Sequence, residues 1–302
     1  MTAVPPGAGR DRPGRLLTSP AVVRELLTTE GLRPRRSLGQ NFLVDANVLR
    51  IITDATRVSH FDTVVEVGPG LGALTQALVE RAGRVYAIES DPAMAAILSR
   101  ELGYAKNLVV VRADAMVCDL PALWKERPPE GVKMVSNLPY QIAATLLVDW
   151  LRDHDWLAEY TVMVQREVGE RILAEPGGKD YSSATVKIRY RAEVSKVANV
   201  SRNSFYPRPR VDSAVLRLVR RPPGRAPDAA PAEDEAFMDR VITSAFSQRR
   251  KKVVNSVSAG IEGVTARRVA LALADLGISR TARAEELNPA EYAGLSNLLM
   301  ER

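Results

Sequence analysis

The feature that most constrains this chain is an alternation beginning at Thr63. Short β-branched runs at 63–67 (TVVEV), 84–88 (RVYAI), 108–112 (LVVVR), 132–136 (VKMVS) and 160–165 (YTVMVQ) are separated by stretches of helical periodicity at about 72–82, 91–102, 119–126 and 141–153. Near-continuous apolar strands are buried on both faces, and crossover helices are what cover them. The pattern predicts an α/β domain around a mainly parallel sheet. Two more strand candidates, 192–200 and 214–219, have only a turn-rich loop between them, and are expected to pair as an antiparallel hairpin at one edge.

The flanks read differently. Residues 1–18 are rich in Pro, Gly and Arg without periodicity and are expected to be a disordered tail. Ser19 and Pro20 then open a short helix, and a basic loop, Arg33-Pro34-Arg35-Arg36, leads through SLGQNFL (37–43) into an amphipathic helix over 45–58. Residues 221–234 form a Pro/Ala linker with too little apolar content to pack. Beyond it, 235–259, 265–276 and 288–300 are helical, with Asn288-Pro289-Ala290-Glu291 as a helix-start signal. The expected organisation is an α/β domain over 19–220 and a small all-α domain over 235–302.

Composition narrows the function classes. With 46% hydrophobic and 26% charged residues, the 302-residue chain has the make-up of a soluble globular protein. No apolar run approaches the roughly 18 residues of a membrane span. The opening MTAVPPGAGRDRPGR lacks the apolar core of a secretory signal, so the cytoplasm is the expected location. Cys118 is the only cysteine, and His60 and His154 are the only histidines. That removes an intrachain disulfide and the ligand pairs of zinc hydrolases and deaminases, and no metal site is expected. A net charge of +6 favours a polyanionic partner such as nucleic acid.

The cofactor signal is Glu66-Val67-Gly68-Pro69-Gly70-Leu71-Gly72, directly after a strand and opening a helix. Glycines there let the backbone bend and approach a ligand with no Cβ in the way. Glu89 ends the next strand about 20 residues past the first glycine, where an acid can accept both ribose hydroxyls of a bound adenosine. Asp114, with Ala115, ends the third strand, placed to accept from an adenine amino group. Three strand ends in register point to an adenosine-containing ligand, which at this stage is either a nicotinamide dinucleotide or S-adenosylmethionine.

The fourth strand decides between them. Ser136-Asn137-Leu138-Pro139-Tyr140 stands where a methyl donor would point. Adenine N6 is a poor nucleophile because its lone pair is delocalised into the ring. The Asn137 side-chain oxygen and a backbone carbonyl can both accept from its hydrogens and localise that pair. Tyr140 can stack on an extruded base, and Pro139 fixes the neighbouring carbonyl.

On these motifs the chain resembles the small-subunit (16S) ribosomal RNA adenine N6-dimethyltransferases, the kasugamycin-sensitivity methylases. The likeness runs from about Arg35 to the C-terminus. It rests on LGQNFL (38–43), EVGPGLG (66–72), IESD (88–91), DA (114–115), NLPY (137–140), VQRE (164–167), FYPRPRVDSAV (205–215) and AFSQRRKKVVNSV (245–257). The resemblance implies a Rossmann-like class I methyltransferase fold that uses S-adenosyl-L-methionine. It also implies dimethylation of two adjacent adenosines in the 3′-terminal hairpin loop of 16S rRNA, within an immature small subunit, by a monomer. By the same analogy Gln40, Asn41 and Leu43 close over the cofactor, and Gly68, Gly70, Glu89, Asp114, Ala115 and Asn137 line its site. Asn137, Leu138, Pro139 and Tyr140 carry the chemistry, and Phe205 stacks on the far side of the base. Gln141 stands where Asn is more usual.

RNA phosphates are expected to meet two clusters, Arg35 with Arg36 and Arg249, Arg250, Lys251 and Lys252, read as lying on a helix. Arg208 and Arg210 are expected to add contacts. Competing readings are a large-subunit rRNA methylase giving macrolide resistance, a DNA adenine methylase, a ribosome-assembly factor and a dinucleotide oxidoreductase. The Leu38-Gly39 pair and the QRRKKVVNS segment favour the small-subunit enzyme.

Overall fold

The computed structural model describes residues 2–3, 15–35, 39–124, 131–222, 230–248 and 250–300. The chain divides into two compact units, Met1–Gly169 with Ser195–Val219, and Glu170–Val194 with Arg220–Arg302.

The first unit carries the sheet. Its strands are β1 (Thr2–Ala3), β3 (Thr63–Val67), β4 (Arg84–Glu89), β5 (Leu108–Arg112), β6 (Val132–Asn137), β7 (Leu157–Gln165), β8 (Ala192–Val200), which crosses the unit boundary, and β10 (Ser213–Arg220). Their order is β1-β5-β4-β3-β6-β7-β10-β8. The five strands from β5 to β7 run parallel. β10 pairs antiparallel with β7, and β8 lies beside it at the edge. From β3 the chain builds outward to β4 and β5, then returns to lay β6 on the other side. That reversal opens a crevice at the carboxyl ends of β3 and β6, where open α/β sheets bind ligands.

Both faces of the sheet are buried, as the apolar strands require. On β4, Val85 and Ala87 point to one face and Tyr86 and Ile88 to the other, and all four are buried. On the first face Val85 packs with Ile52, Val64, Leu74 and Leu78, and Ala87 with Leu71, Ile97, Leu98 and Leu102. The covering helices are α1 (Pro20–Thr29), α2 (Ala46–Ala55), α3 (Ala73–Val79), α4 (Pro92–Glu101) and α5 (Ala143–Asp153). Asp45 caps α2 through Asn47 and Val48, and Asp91 caps α4 through Ala93. A separate two-stranded sheet joins β2 (Phe42–Leu43) to β9 (Phe205–Tyr206).

The second unit is helical, with α6 (Arg166–Leu173) entering it from the first. It contains α7 (Ser183–Arg191), α8 (Glu235–Phe246), α9 (Val253–Gly260), α10 (Ala266–Asp275) and α11 (Pro289–Met300). At the head of α11 the Asn288 side chain accepts from the Glu291 amide, and the Glu291 carboxylate accepts from the Asn288 amide.

Several expectations need correction. Residues 170–194 belong with the helical unit, because Tyr181, Val186 and Tyr190 are buried against Phe237, Val241 and Tyr292. Arg191 makes a two-pronged pair with Asp239, at 3.1 and 3.2 Å, inside that same core. The tail is partly ordered: Thr2 and Ala3 pair with β5, and Leu17 is buried. Residues 1 and 4–14 lie outside the described residues. The helix expected over 119–126 is one 3-10 turn at Pro121–Leu123, with Asp119 capping Ala122; residues 125–130 lie outside the described residues. The helix expected over 235–259 breaks between Phe246 and Val253, so Arg250 and Lys251 sit in a turn rather than on a helix. Lys252 is the extended residue that opens α9. The second half of the 221–234 linker is pinned: Ala232 N–H donates to the Tyr190 hydroxyl (2.9 Å), and Asn297 binds Pro231 and Glu233. Residues 223–229 lie outside the described residues.

Candidate active site

The site is built at the carboxyl ends of β3, β4, β5 and β6. Gly68 bends the chain with φ of 67°, and its N–H donates to the Ile88 carbonyl. A Cβ at Gly68 would lie 3.0 Å from Pro139, and one at Gly70 would lie 3.1 Å from Phe42. Both glycines are therefore required by close approach as well as by backbone conformation. Ser136 ties the two central strands together, its hydroxyl accepting from Val67 N–H at 2.9 Å.

Main-chain donors orient the acids. Glu89 accepts from Gly70 N–H (3.2 Å) with one oxygen and from Asp91 N–H (2.8 Å) with the other. Asp114 accepts from Met116 N–H (2.9 Å) with Oδ1. Among the described residues no hydrogen bond reaches its Oδ2. Gly68, Gly70, Glu89, Asp114, Ala115, Asn137, Leu138, Pro139 and Tyr140 all line one cavity of about 240 Å³, together with Gln40, Asn41 and Leu43. The glycine bend and the Asn-Leu-Pro-Tyr turn thus share a single space.

Glu66 also lines this cavity, and sequence reasoning did not assign it a role. Its carboxyl is fully buried, its Oε2 has no hydrogen-bond partner, and burial pushes its pKa up to about 8, with the neighbouring Glu89 charge adding to the effect. Burial also raises the Glu89 carboxyl, against the opposing pull of its two backbone donors. Two desolvated acids facing one cavity favour a cationic ligand, which would return both to the charged form.

At the opposite wall, the Asn137 amide donates to the Asn41 carbonyl at 3.4 Å, and its buried Oδ1 has no partner. The Pro139 carbonyl accepts from Ile142 N–H, so the carbonyl available in the turn is that of Leu138. The Tyr140 hydroxyl lies 2.9 Å from the Ser213 hydroxyl, and burial raises the phenol above its ordinary range.

The lid is held by side chains. Gln40 donates to the Asp91 carboxylate (3.1 Å) and accepts from Arg35 N–H (2.8 Å). The exposed Arg35 guanidinium lies 3.7 Å from Asp91, so this residue, expected to meet RNA, also braces the lid. Leu43 pairs with Phe205 across the small sheet. The Phe205 ring does not reach the cavity. It is 4% exposed and packs with Val48, Ile52, Met163 and Val215, so the structure gives it a backing role in place of the expected stack on the base. Leu17 does line the cavity, which the reading of residues 1–18 as a tail missed. Gln76 grips the chain that leads into it, accepting from Leu17 N–H (3.1 Å) and donating to the Arg15 carbonyl (2.9 Å).

Of the residues expected to meet RNA, Arg208 and Arg210 are exposed in the first unit, and Arg250, Lys251 and Lys252 are exposed in the second. Arg36 and Arg249 lie outside the described residues. In the second unit Lys252 bridges Arg283, bringing exposed Arg280 and Arg283 beside the basic turn; nothing in the local sequence around them had singled them out. Among the described residues no group of three His, Cys, Asp or Glu side chains could hold a metal, and no helix is long and apolar enough to cross a membrane.

Comparison with known proteins agrees with this geometry. The chain is 45% identical over 294 residues to "Ribosomal RNA small subunit methyltransferase A" of Moorella thermoacetica, covering 95% of this chain and 97% of the other. It is 36% identical to the protein of that name from Bacillus mycoides, covering 94% and 97%. Among solved structures it resembles a dimethyladenosine transferase from Plasmodium falciparum in fold (TM-score 0.68, 24% identity, 84% of this chain and 95% of that one). It also resembles the 23S rRNA methyltransferase ErmE (TM-score 0.61, 29% identity, 86% and 100%). The sequence profile described as "Ribosomal RNA adenine dimethylase" matches residues 31–301, and the chain belongs to that family.

Proposed function

We propose that this protein methylates adenine N6 in small-subunit ribosomal RNA, placing two methyl groups on each of two adjacent adenosines in the 3′-terminal hairpin loop of 16S rRNA. The observation that carries the reading is the unpartnered Asn137 Oδ1 in a cavity shared with Gly68 and Glu89. A buried acceptor without a donor is costly, and a substrate amine is the donor that would satisfy it.

The residues fit S-adenosyl-L-methionine. Two glycines admit the ligand's backbone-side approach, Glu89 accepts from the ribose hydroxyls, and Asp114 Oδ2 accepts from the adenine amine. The desolvated Glu66 and Glu89 carboxyls favour its positive charge. When bound, the cofactor supplies an electrophilic methyl on a sulfonium. Asn137 Oδ1 and the Leu138 carbonyl accept the two N6 hydrogens of the target adenine. This would draw the nitrogen toward tetrahedral geometry and localise its lone pair for attack on the methyl. The N–C bond forms as the S–C bond breaks to a neutral thioether, and the surplus N6 proton passes to solvent. Tyr140 stacks on the extruded base, worth roughly 1–3 kcal/mol. The exposed cations Arg208 and Arg210, and Arg250, Lys251 and Lys252, supply phosphate contacts that carry no sequence information of their own. The substrate is an immature small subunit in the cytoplasm, and the enzyme acts as a monomer.

The test is mass spectrometry of digested 16S rRNA after incubation of unmethylated small-subunit particles with the protein and labelled cofactor. Label on N6,N6-dimethyladenosine supports the reading, and its absence refutes it. A second reading, a large-subunit target, rests on the likeness to ErmE. Primer extension on both rRNAs separates the two, and a stop confined to 23S rRNA would favour the second.

A further inference from the structure

Tyr140 is expected to hold the base by its ring face, yet a ring anchored only at its backbone end can swing about the Cα–Cβ bond. The structure supplies a second point of attachment. Ser213, the first residue of β10, is fully buried, and its hydroxyl lies 2.9 Å from the Tyr140 hydroxyl. Buried hydroxyls take partners, and here each is the other's. Ser213 itself is placed with little freedom. It stands opposite Gln165 in the β10–β7 register. The residue before it, Asp212, is gripped from three sides: its carbonyl accepts from Arg166 N–H (2.9 Å), Oδ1 accepts from Arg202 N–H (3.1 Å), and Oδ2 faces the Arg166 guanidinium at 3.4 Å. Tyr140 thus spans from the turn after β6 to a fixed point on β10.

We propose that Ser213 is a positioning residue for methyl transfer, its hydroxyl holding the far end of the Tyr140 ring in place so that the stacked base presents N6 to Asn137. This rests on the reading of Tyr140 as the stacking residue. A misplaced base lowers the fraction of encounters with N6 in line, so the loss falls on turnover rather than on cofactor binding. The tether acts through one pair of hydroxyls, so removing either one removes all of it.

The experiment is a double-mutant cycle with Ser213→Ala, Tyr140→Phe and the combined variant, read as kcat on small-subunit particles. Each single change is expected to lower kcat about three- to tenfold, the range of one hydrogen bond, and the pair is expected to lose no more than either alone. Cofactor affinity by calorimetry should stay unchanged, and fluorescence of 2-aminopurine at the target position should show weaker stacking. Additive losses, or full turnover in Ser213→Ala, would overturn the proposal. Should Ser213→Ala fold poorly, Tyr140→Phe leaves the packing intact and decides the matter alone: wild-type turnover there overturns it. Tyr140→Ala separates this inference from the reading beneath it. Full turnover in that variant removes the stacking role and the tether with it, whereas a large loss there beside a silent Tyr140→Phe removes only the tether.

Discussion

On the sheet side of the cavity, Glu89 and Asp114 are oriented by main-chain N–H groups of Gly70, Asp91 and Met116. On the side formed by residues 15–17 and 39–43, the side chains of Gln76, Gln40 and Asp91 supply the grip outside the short β2–β9 pairing at 42–43. The first wall is as rigid as the parallel strands that end in it. The second depends on rotatable side chains and on a strand pairing only two residues long. Binding energy and catalytic geometry therefore belong to the sheet edge, and access belongs to the lid.

Substitutions on the two walls test this division. Removing Asn137 should do most harm: Asn137→Ala is expected to lower kcat by roughly 10²–10³, the loss typical of one positioned polar group, with cofactor affinity moving far less in calorimetry. Equal losses in both would place Asn137 in cofactor binding alone. Next comes Glu89→Ala, which should raise the cofactor Kd roughly ten- to a hundredfold by removing charge-assisted bonds. Undiminished binding would mean that the ribose is held elsewhere.

Glu66 gives a test by pH. Its pKa is raised from 4.5 to about 8, so between those values the folded protein keeps a proton that the unfolded chain releases. Its contribution to stability is complete below pH 4.5 and is lost as pH rises through about 8. Glu89 is shifted in the same direction. In denaturant unfolding of the protein alone, Glu66→Gln should remove one proton's dependence, about 1.4 kcal/mol per pH unit, from that window. An unaltered slope would show that Glu66 titrates normally. The smallest effect is expected on the lid, where Gln40→Ala should weaken cofactor binding by about 1 kcal/mol, roughly fivefold. A loss as large as that of Glu89→Ala would erase the contrast between the walls.

Much of the sheet wall was legible from residue type and spacing. Gly68, Glu89, Asp114 and Asn137 each end an apolar strand, and strand ends in one register must converge. What escaped was set by packing across the chain. Glu66 stood inside a quoted motif, but nothing local shows that its carboxyl is buried without a partner. Phe205 carried an aromatic ring of the right kind, yet its β2–β9 pairing turns it into the core. Leu17 looked like the end of a tail because its anchor, Gln76, lies 59 residues away. The break after Phe246 was hidden because apolar periodicity resumes at Val253, and the charged turn between could be read as a solvated helical face.

The clasp of Gln76 on residues 15 and 17 has one more consequence. Its amide touches only peptide groups, which every residue except proline at 17 offers alike. Position 16 is free to drift in identity while the segment stays in place, provided that position 17 keeps an oily side chain to seal the pocket rim and Arg15 keeps its pairs with Glu25 and Glu101. Replacing Gln76 should therefore loosen the whole leading segment at once, whereas swapping the exposed Leu16 should leave it seated.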